Sequence, residues 1–141
     1  MRVLTCLCFM ASAASGDPID TVATLADCLS RGDRIDVIDA SLQGLAAHDT
    51  KLRRADAEIS MRLATIRDTA RVDAGAAATY AGYEVEREAV RAARRNVSET
   101  RRTLLEERRA LISGYDLKCA GKSYTDEELD AARALLEAPE S

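Results

Sequence analysis

Four cysteines are the side chains of this sequence with the readiest covalent chemistry. Cys6 and Cys8 fall in an N-terminal leader, whereas Cys28 and Cys119 lie far apart in the rest of the chain. Neither of the latter two belongs to a C-x-x-C motif, the usual signature of a redox-active thiol. Their spacing therefore favours a structural disulfide between Cys28 and Cys119. A basic residue stands close to each of them in the sequence, so a reactive thiol is the alternative.

A second candidate for chemistry is a stripe of arginines that recurs every seven residues and so lies on one side of a helix. Such a row of guanidinium groups could bind an anionic partner, namely lipopolysaccharide, anionic lipid, nucleic acid or an acidic protein. Glutamates three or four residues away can neutralise part of it, so a solvated charged edge is the alternative. The stripe consists of Arg87, Arg94, Arg95, Arg101, Arg102, Arg108 and Arg109.

The remaining residues do not form a pattern typical of a catalytic or metal site. His48 is the only histidine, and no nearby thiolate cluster could complete a zinc site with it. We therefore expect no enzyme activity, no cofactor and no metal. The formal net charge is −4, and aromatic residues make up only 4% of the chain. Because none of them alternates with the arginines, nucleic-acid recognition by base stacking is disfavoured.

The first 15 residues resemble an export signal. Arg2 supplies a short positive region, an apolar run follows, and Ala11-Ser12-Ala13 or Ala13-Ala14-Ser15 offers a small-residue cleavage site. A retained N-terminal anchor is the alternative to a cleaved signal. The apolar run is shorter than the ~20 residues that a spanning helix needs, so no transmembrane segment is expected. Arginine also far outnumbers lysine, as in proteins from GC-rich bacterial genomes. We therefore expect a periplasmic or secreted bacterial protein, in a compartment where disulfides persist.

The elements that must position these residues are two long helices. Two apolar ladders with seven-residue spacing flank Gly75, and their heptad phase changes there, so the chain should fold back at that point. The sequence predicts an all-α fold: a long antiparallel two-helix coiled-coil hairpin with arms 33–72 and 77–113 and a tip at 73–76. In this arrangement Asp39 of the first arm should lie opposite Arg108 of the second. The ladders are Ile38, Leu45, Leu52, Ile59 and Ile66, then Tyr83, Val90, Val97, Leu104 and Leu111.

Shorter helices are expected on either side of the hairpin. Asp17-Pro18 is typical of a helix start and Gly32 of a helix end, which predicts a helix over 18–31. Thr125 with Glu128 forms a capping-box pattern, which predicts a helix over 125–138. Both helices should lie at the open end of the hairpin, close to the disulfide. Residues 16–141 would then form a single domain.

The second seam of the hairpin is poor in apolar residues, since it carries Asp49, Asp56, Glu86 and Glu107. Two helices alone would therefore bury little apolar area, and a partner would relieve the shortage. We expect a non-enzymatic structural or protein-interaction module of the envelope, with anion binding by the arginine stripe as the alternative. A stripe of small residues could support self-association. It contains Ser41, Ala55, Thr69, Gly82, Ala89, Asn96, Thr103 and Ala110.

Overall fold

The protein is described here by a computed structural model that covers residues 16–138. Within that range the regular secondary structure is helical, apart from one isolated bridge between Pro18 and Ser123. The all-α prediction is therefore confirmed at this level, whereas the predicted export signal lies outside the described residues. The helices are α1 (Val22–Ile66), α2 (Ala74–Lys118) and α3 (Asp126–Glu137), with a 3-10 turn at Thr69–Arg71 between the first two.

The described residues divide into two compact units, to which α1 and α2 both contribute. Residues 16–32 and 113–138 form the first, which we call the cystine unit because it contains the predicted disulfide. Cys28 and Cys119 are bonded there, with 5.8 Å between their Cα atoms, so the predicted pairing is confirmed. Apolar side chains surround Cys28, which is itself buried. This core consists of Ile19, Leu25, Ala26, Cys28 and Ala132.

Helix α3 belongs to the cystine unit and begins where the sequence predicts. The Thr125 hydroxyl accepts a hydrogen bond from the Glu128 amide at 3.2 Å. The Glu128 carboxylate in turn accepts one from the Thr125 amide at 2.7 Å, which completes the capping box. Ala132 lies on the apolar face of this helix and is fully buried. The local cap therefore fixes the start of α3, and its apolar face attaches it to the core.

Residues 33–112 form the second unit, which we call the two-helix unit, and in it α1 packs against α2. Four apolar side chains are buried there, and three of them are predicted ladder positions: Ile38, Ile59 and Val97. The fourth, Leu63, lies one heptad after Asp56 and so also belongs to the predicted second seam, and it is 2% exposed. Other ladder residues, including Leu52, are only partly buried. The core of this unit is therefore thin.

The predicted separate helix over 18–31 is wrong, because α1 begins later and runs through Gly32 without a break. Thr21, rather than Asp17, caps it, since the Thr21 hydroxyl accepts a hydrogen bond from the Thr24 amide at 3.0 Å. Pro18 instead lies in an extended segment beside Ser123. One glycine inside a helix costs only about 1 kcal/mol relative to alanine, and the continued helix offsets that cost by burying side chains on both sides of it, such as Cys28 and Ile38.

The tip of the predicted hairpin is displaced. The connection between α1 and α2 occupies residues 67–73, and Gly75 lies in the first turn of α2. Asp73 caps this helix, since its carboxylate accepts a hydrogen bond from the Ala76 amide at 2.6 Å. The predicted end at residue 113 is also wrong, because α2 continues past Gly114 to Lys118. That continuation carries Tyr115 and Cys119 to the core of the cystine unit.

Candidate functional site

The predicted arginine stripe lies on α2, and its best-formed ion pair is the one expected from the sequence. Arg108 donates two hydrogen bonds to Asp39 of α1, at 2.6 Å from Nε to Oδ1 and at 3.1 Å from Nη2 to Oδ2. This hydrogen bonding lowers the pKa of Asp39 and raises that of Arg108. Arg108 is thus held by α1 and is a poor candidate for binding an external anion.

Three acids of the predicted second seam also pair with arginines of the opposite helix, which sequence reasoning missed. It treated these acids as lost apolar area, although an arginine beside the seam on the other helix can reach them. As the residue number rises along α1, that of its partner on α2 falls. The pairs are Arg34 with Glu107 at 2.7 Å, Asp49 with Arg94 at 3.3 Å and Asp56 with Arg91 at 3.4 Å.

Two of these acids differ in how well they are satisfied. Asp49 accepts hydrogen bonds from Arg53 at 2.7 Å and from Arg94 at 3.3 Å. Burial is the largest single influence on its pKa and raises it, but the hydrogen bonds and charges of the two arginines together lower it below the ordinary value. In contrast, Oδ1 of Asp56 is buried and accepts no hydrogen bond, so Arg91 stabilises it by charge alone.

Three other arginines of the stripe are neutralised within α2 itself. Arg87, Arg95 and Arg102 each form an ion pair with a glutamate of the same helix. The contact from Arg95 lowers the pKa of Glu88 through a hydrogen bond of 2.7 Å. Arg101 and Arg109 are different, because no carboxylate within residues 16–138 comes within ion-pair distance of either. Within the predicted binding edge, these two guanidinium groups are therefore the ones left to bind an external anion, as far as the described residues show.

Both unpaired arginines line two adjoining depressions on the two-helix unit, which we together call the arginine groove. Its wider part lies between α1 and α2 and has a volume of about 410 Å³. A second part of about 270 Å³ extends it along α2, and the two share Ser98 and Arg101. From α1 the groove is lined by Leu45, Ala46, Asp49, Thr50 and Arg53. From α2 it is lined by Arg94, Val97, Ser98, Arg101, Arg102, Leu105, Glu106 and Arg109.

The predicted small-residue stripe is mostly exposed on the two-helix unit. Two of its hydroxyl groups are already satisfied by their own helices. Ser41 donates to the carbonyl of Val37 at 2.8 Å, and Thr103 donates to the carbonyl of Glu99 at 3.3 Å. This stripe therefore offers a surface of close approach for another helix, and these two hydroxyl groups need no outside partner.

Two other kinds of feature are absent from the part of the chain that the structure describes. No group of three or more histidine, cysteine, aspartate or glutamate side chains there is placed to hold a metal ion. None of the helices in residues 16–138 has both the length and the apolar character needed to cross a membrane.

Both unpaired arginines of the stripe thus lie in the arginine groove, which also has apolar lining residues and is the candidate site within the described residues. No protein-family model, curated protein or solved structure matches this chain.

Proposed function

We propose that this chain is an exported protein of a bacterial envelope, periplasmic or secreted, that works as a non-enzymatic interaction module. In this proposal α1 and α2 form an antiparallel coiled-coil hairpin whose edges receive another protein. The falling order of the ion-pair partners along α2 supports the antiparallel arrangement. Heptad spacing of the ladder residues supports the coiled coil.

The observation that carries the proposal is the incomplete burial of the apolar ladder in the two-helix unit. Ile38 and Ile59 are buried to 2% exposure, whereas the intervening Leu45 and Leu52 stay partly exposed. On α2, Val90 and Leu104 are also only partly buried. When a partner removes such apolar side chains from water, the burial stabilises the complex by about 25 cal/mol per Å² of apolar surface. Protein association is therefore the function that this surface supports best.

The disulfide supports the location. Disulfides persist in the periplasm and outside the cell, and they are rare where glutathione and thioredoxin keep thiols reduced. Cys28 and Cys119 are bonded and lie at the core of the cystine unit. A structural disulfide at such a position agrees with the leader-like residues 1–15 and with export.

Anion binding by the whole arginine stripe is the second candidate function, and the ion pairs weaken it. Lipopolysaccharide, anionic lipid or nucleic acid would have to compete with the carboxylates that already bind five of the seven arginines. Only Arg101 and Arg109 are open to a new partner among the described residues. We therefore rank a protein partner above an extended anionic surface.

Face-specific photo-crosslinking in a Gram-negative host tests the proposal. A benzophenone side chain is placed at Ala46 or Ala89, on the two edges of the two-helix unit, and at Met61, which is 64% exposed, as the matched control. We expect an adduct with another protein in the periplasmic fraction from at least one edge position and none from Met61. The chain should also be fully oxidised there, whereas a variant lacking residues 1–15 should stay in the cytoplasm with reduced thiols.

Equal crosslinking from all three positions would mean nonspecific contact and would contradict the module. Recovery of the full-length chain in the cytoplasm with free thiols would contradict the export half of the proposal. The experiment therefore tests the interaction module and the export of the protein separately.

A further inference from the structure

The floor of the arginine groove is apolar, although its rim is cationic. Leu45 and Val97 line the wider part, and Leu105 lines the extension along α2. Val97 is 8% exposed, so the floor is continuous with the core of the two-helix unit. The lining includes five arginines and two carboxylates, which leaves the groove with a net positive charge. A ligand for this surface needs both apolar and acidic groups.

The spacing of these groups matches a helix. Val97, Arg101, Leu105 and Arg109 follow one another at every fourth position of α2, so apolar and basic side chains alternate along one ridge. Arg101 and Arg109 are separated by about 12 Å along the helix axis. A helix lying beside this ridge can present carboxylates at the same separation and a leucine between them.

We propose that the arginine groove binds an acidic amphipathic helix of another protein, with carboxylates on Arg101 and Arg109 and apolar side chains on the Leu45, Val97 and Leu105 floor. The inference rests on the proposed function, since it names the partner chemistry of an interaction module. The partner should be acidic because the groove carries a net positive charge, and it should be amphipathic because the floor of the groove is apolar and only partly covered.

Other occupants fit the groove less well. In a symmetric dimer the same patch meets itself, so a second copy would place arginines against arginines. A flat anionic membrane would bring Glu99 and Glu106, which alternate with the arginines, against its own negative charge. An extended peptide would find no strand edge within residues 16–138 to satisfy its backbone.

Fluorescence anisotropy with a defined probe tests the inference. The probe is a labelled synthetic helix of about three heptads, with leucine at positions a and d and glutamate at e and g. We expect saturable binding to the full chain, and we expect the double variant Arg101→Gln, Arg109→Gln to bind it about tenfold more weakly. The matched control is Arg71→Gln, Arg95→Gln, which removes the same charge from exposed positions outside the groove and should bind as the unaltered chain does.

Charge reversal makes the test independent of folding defects. The double variant Arg101→Glu, Arg109→Glu should lose the acidic probe and gain binding to a probe with lysine at positions e and g. Helical circular dichroism of each variant should match that of the unaltered chain, because both arginines are exposed.

Three results would overturn the inference. One is the absence of binding by the unaltered chain, and another is an equal loss in the control variant. The third is undiminished binding of a probe with alanine at a and d, which would reduce the interaction to charge alone. If the first result came with binding to vesicles containing phosphatidylglycerol, the ligand of the groove would be a lipid surface and not a helix. Crosslinks from Ala89 would survive any of these results, so the proposed function can stand if this inference fails.

Discussion

Reduction of the Cys28–Cys119 disulfide is expected to lower the free energy of unfolding by up to about 4–5 kcal/mol. The bond joins residues 91 positions apart, and the whole two-helix unit lies between them in the sequence. Closing so long a loop removes much conformational entropy from the unfolded chain. Total stabilities of small domains are only ~5–15 kcal/mol, so this loss would be a large fraction of the whole.

Urea denaturation followed by circular dichroism measures this effect in the oxidised protein and in the double variant Cys28→Ala, Cys119→Ala. The oxidised protein treated with a reductant is the matched control, since it keeps both sulfur atoms and lacks only the bond. We expect both altered forms to unfold at clearly lower urea concentration. A shift equivalent to less than about 0.5 kcal/mol would mean that the disulfide adds nothing to stability.

The second large effect is expected from Ile38→Ala, at about 2–5 kcal/mol of unfolding free energy. Ile38 is 2% exposed in the two-helix unit, whose thin core has few other side chains to compensate for the cavity. The neighbouring Val37 is 60% exposed, so Val37→Ala is the matched control and should change stability by less than about 0.5 kcal/mol. Leu52→Ala should fall between the two, because that ladder position is only half-buried.

Urea denaturation of the three variants gives this ranking directly. Equal losses for Ile38→Ala and Val37→Ala would mean that the α1 face assigned to the core is not the buried one. A larger loss of stability for Leu52→Ala than for Ile38→Ala would mean that the core lies near the middle of the ladder. That result would contradict the structure, in which the side chains there are only partly buried.

Local capping signals were the part of the fold that sequence reasoning predicted best. The Thr125 capping box is set by four consecutive residues, and it determines the start of α3 whatever else the chain does. The same kind of signal was present at Thr21 and Asp73, where side-chain oxygens cap α1 and α2. There the prediction relied on nearby proline and glycine instead, and it displaced both helix starts.

Glycine was the main source of error. Gly32 and Gly114 were each interpreted as helix ends, yet both lie inside long helices. The propensity cost of one glycine is small compared with the burial that a continued helix achieves for residues such as Tyr115. Beside Gly114 the guanidinium of Arg31 lies 2.7 Å from the place that a Cβ would occupy, so the glycine also leaves space for that side chain.

The candidate site depends on which arginines form ion pairs with carboxylates, and the composition of the chain alone does not determine that. The heptad pattern placed Arg108 opposite Asp39 correctly, because both flank the same ladder rung. It did not show that Asp49 would bind two arginines while Arg101 would bind none of the described carboxylates, since that depends on the displaced turn and on side-chain reach. Only the three-dimensional arrangement separates the paired arginines from the unpaired ones.

The central claim is that α1 and α2 of one chain run side by side in opposite directions. The most direct test is a pulsed electron paramagnetic resonance distance between spin labels at Lys51 and Asn96, both exposed, with labelled chains diluted in unlabelled protein. An antiparallel hairpin places the two backbones about 10 Å apart, so a short distance of roughly 20–30 Å between labels is expected. A single continuous helix would separate the same backbones by about 68 Å, and a distance in that range within one chain would contradict the hairpin.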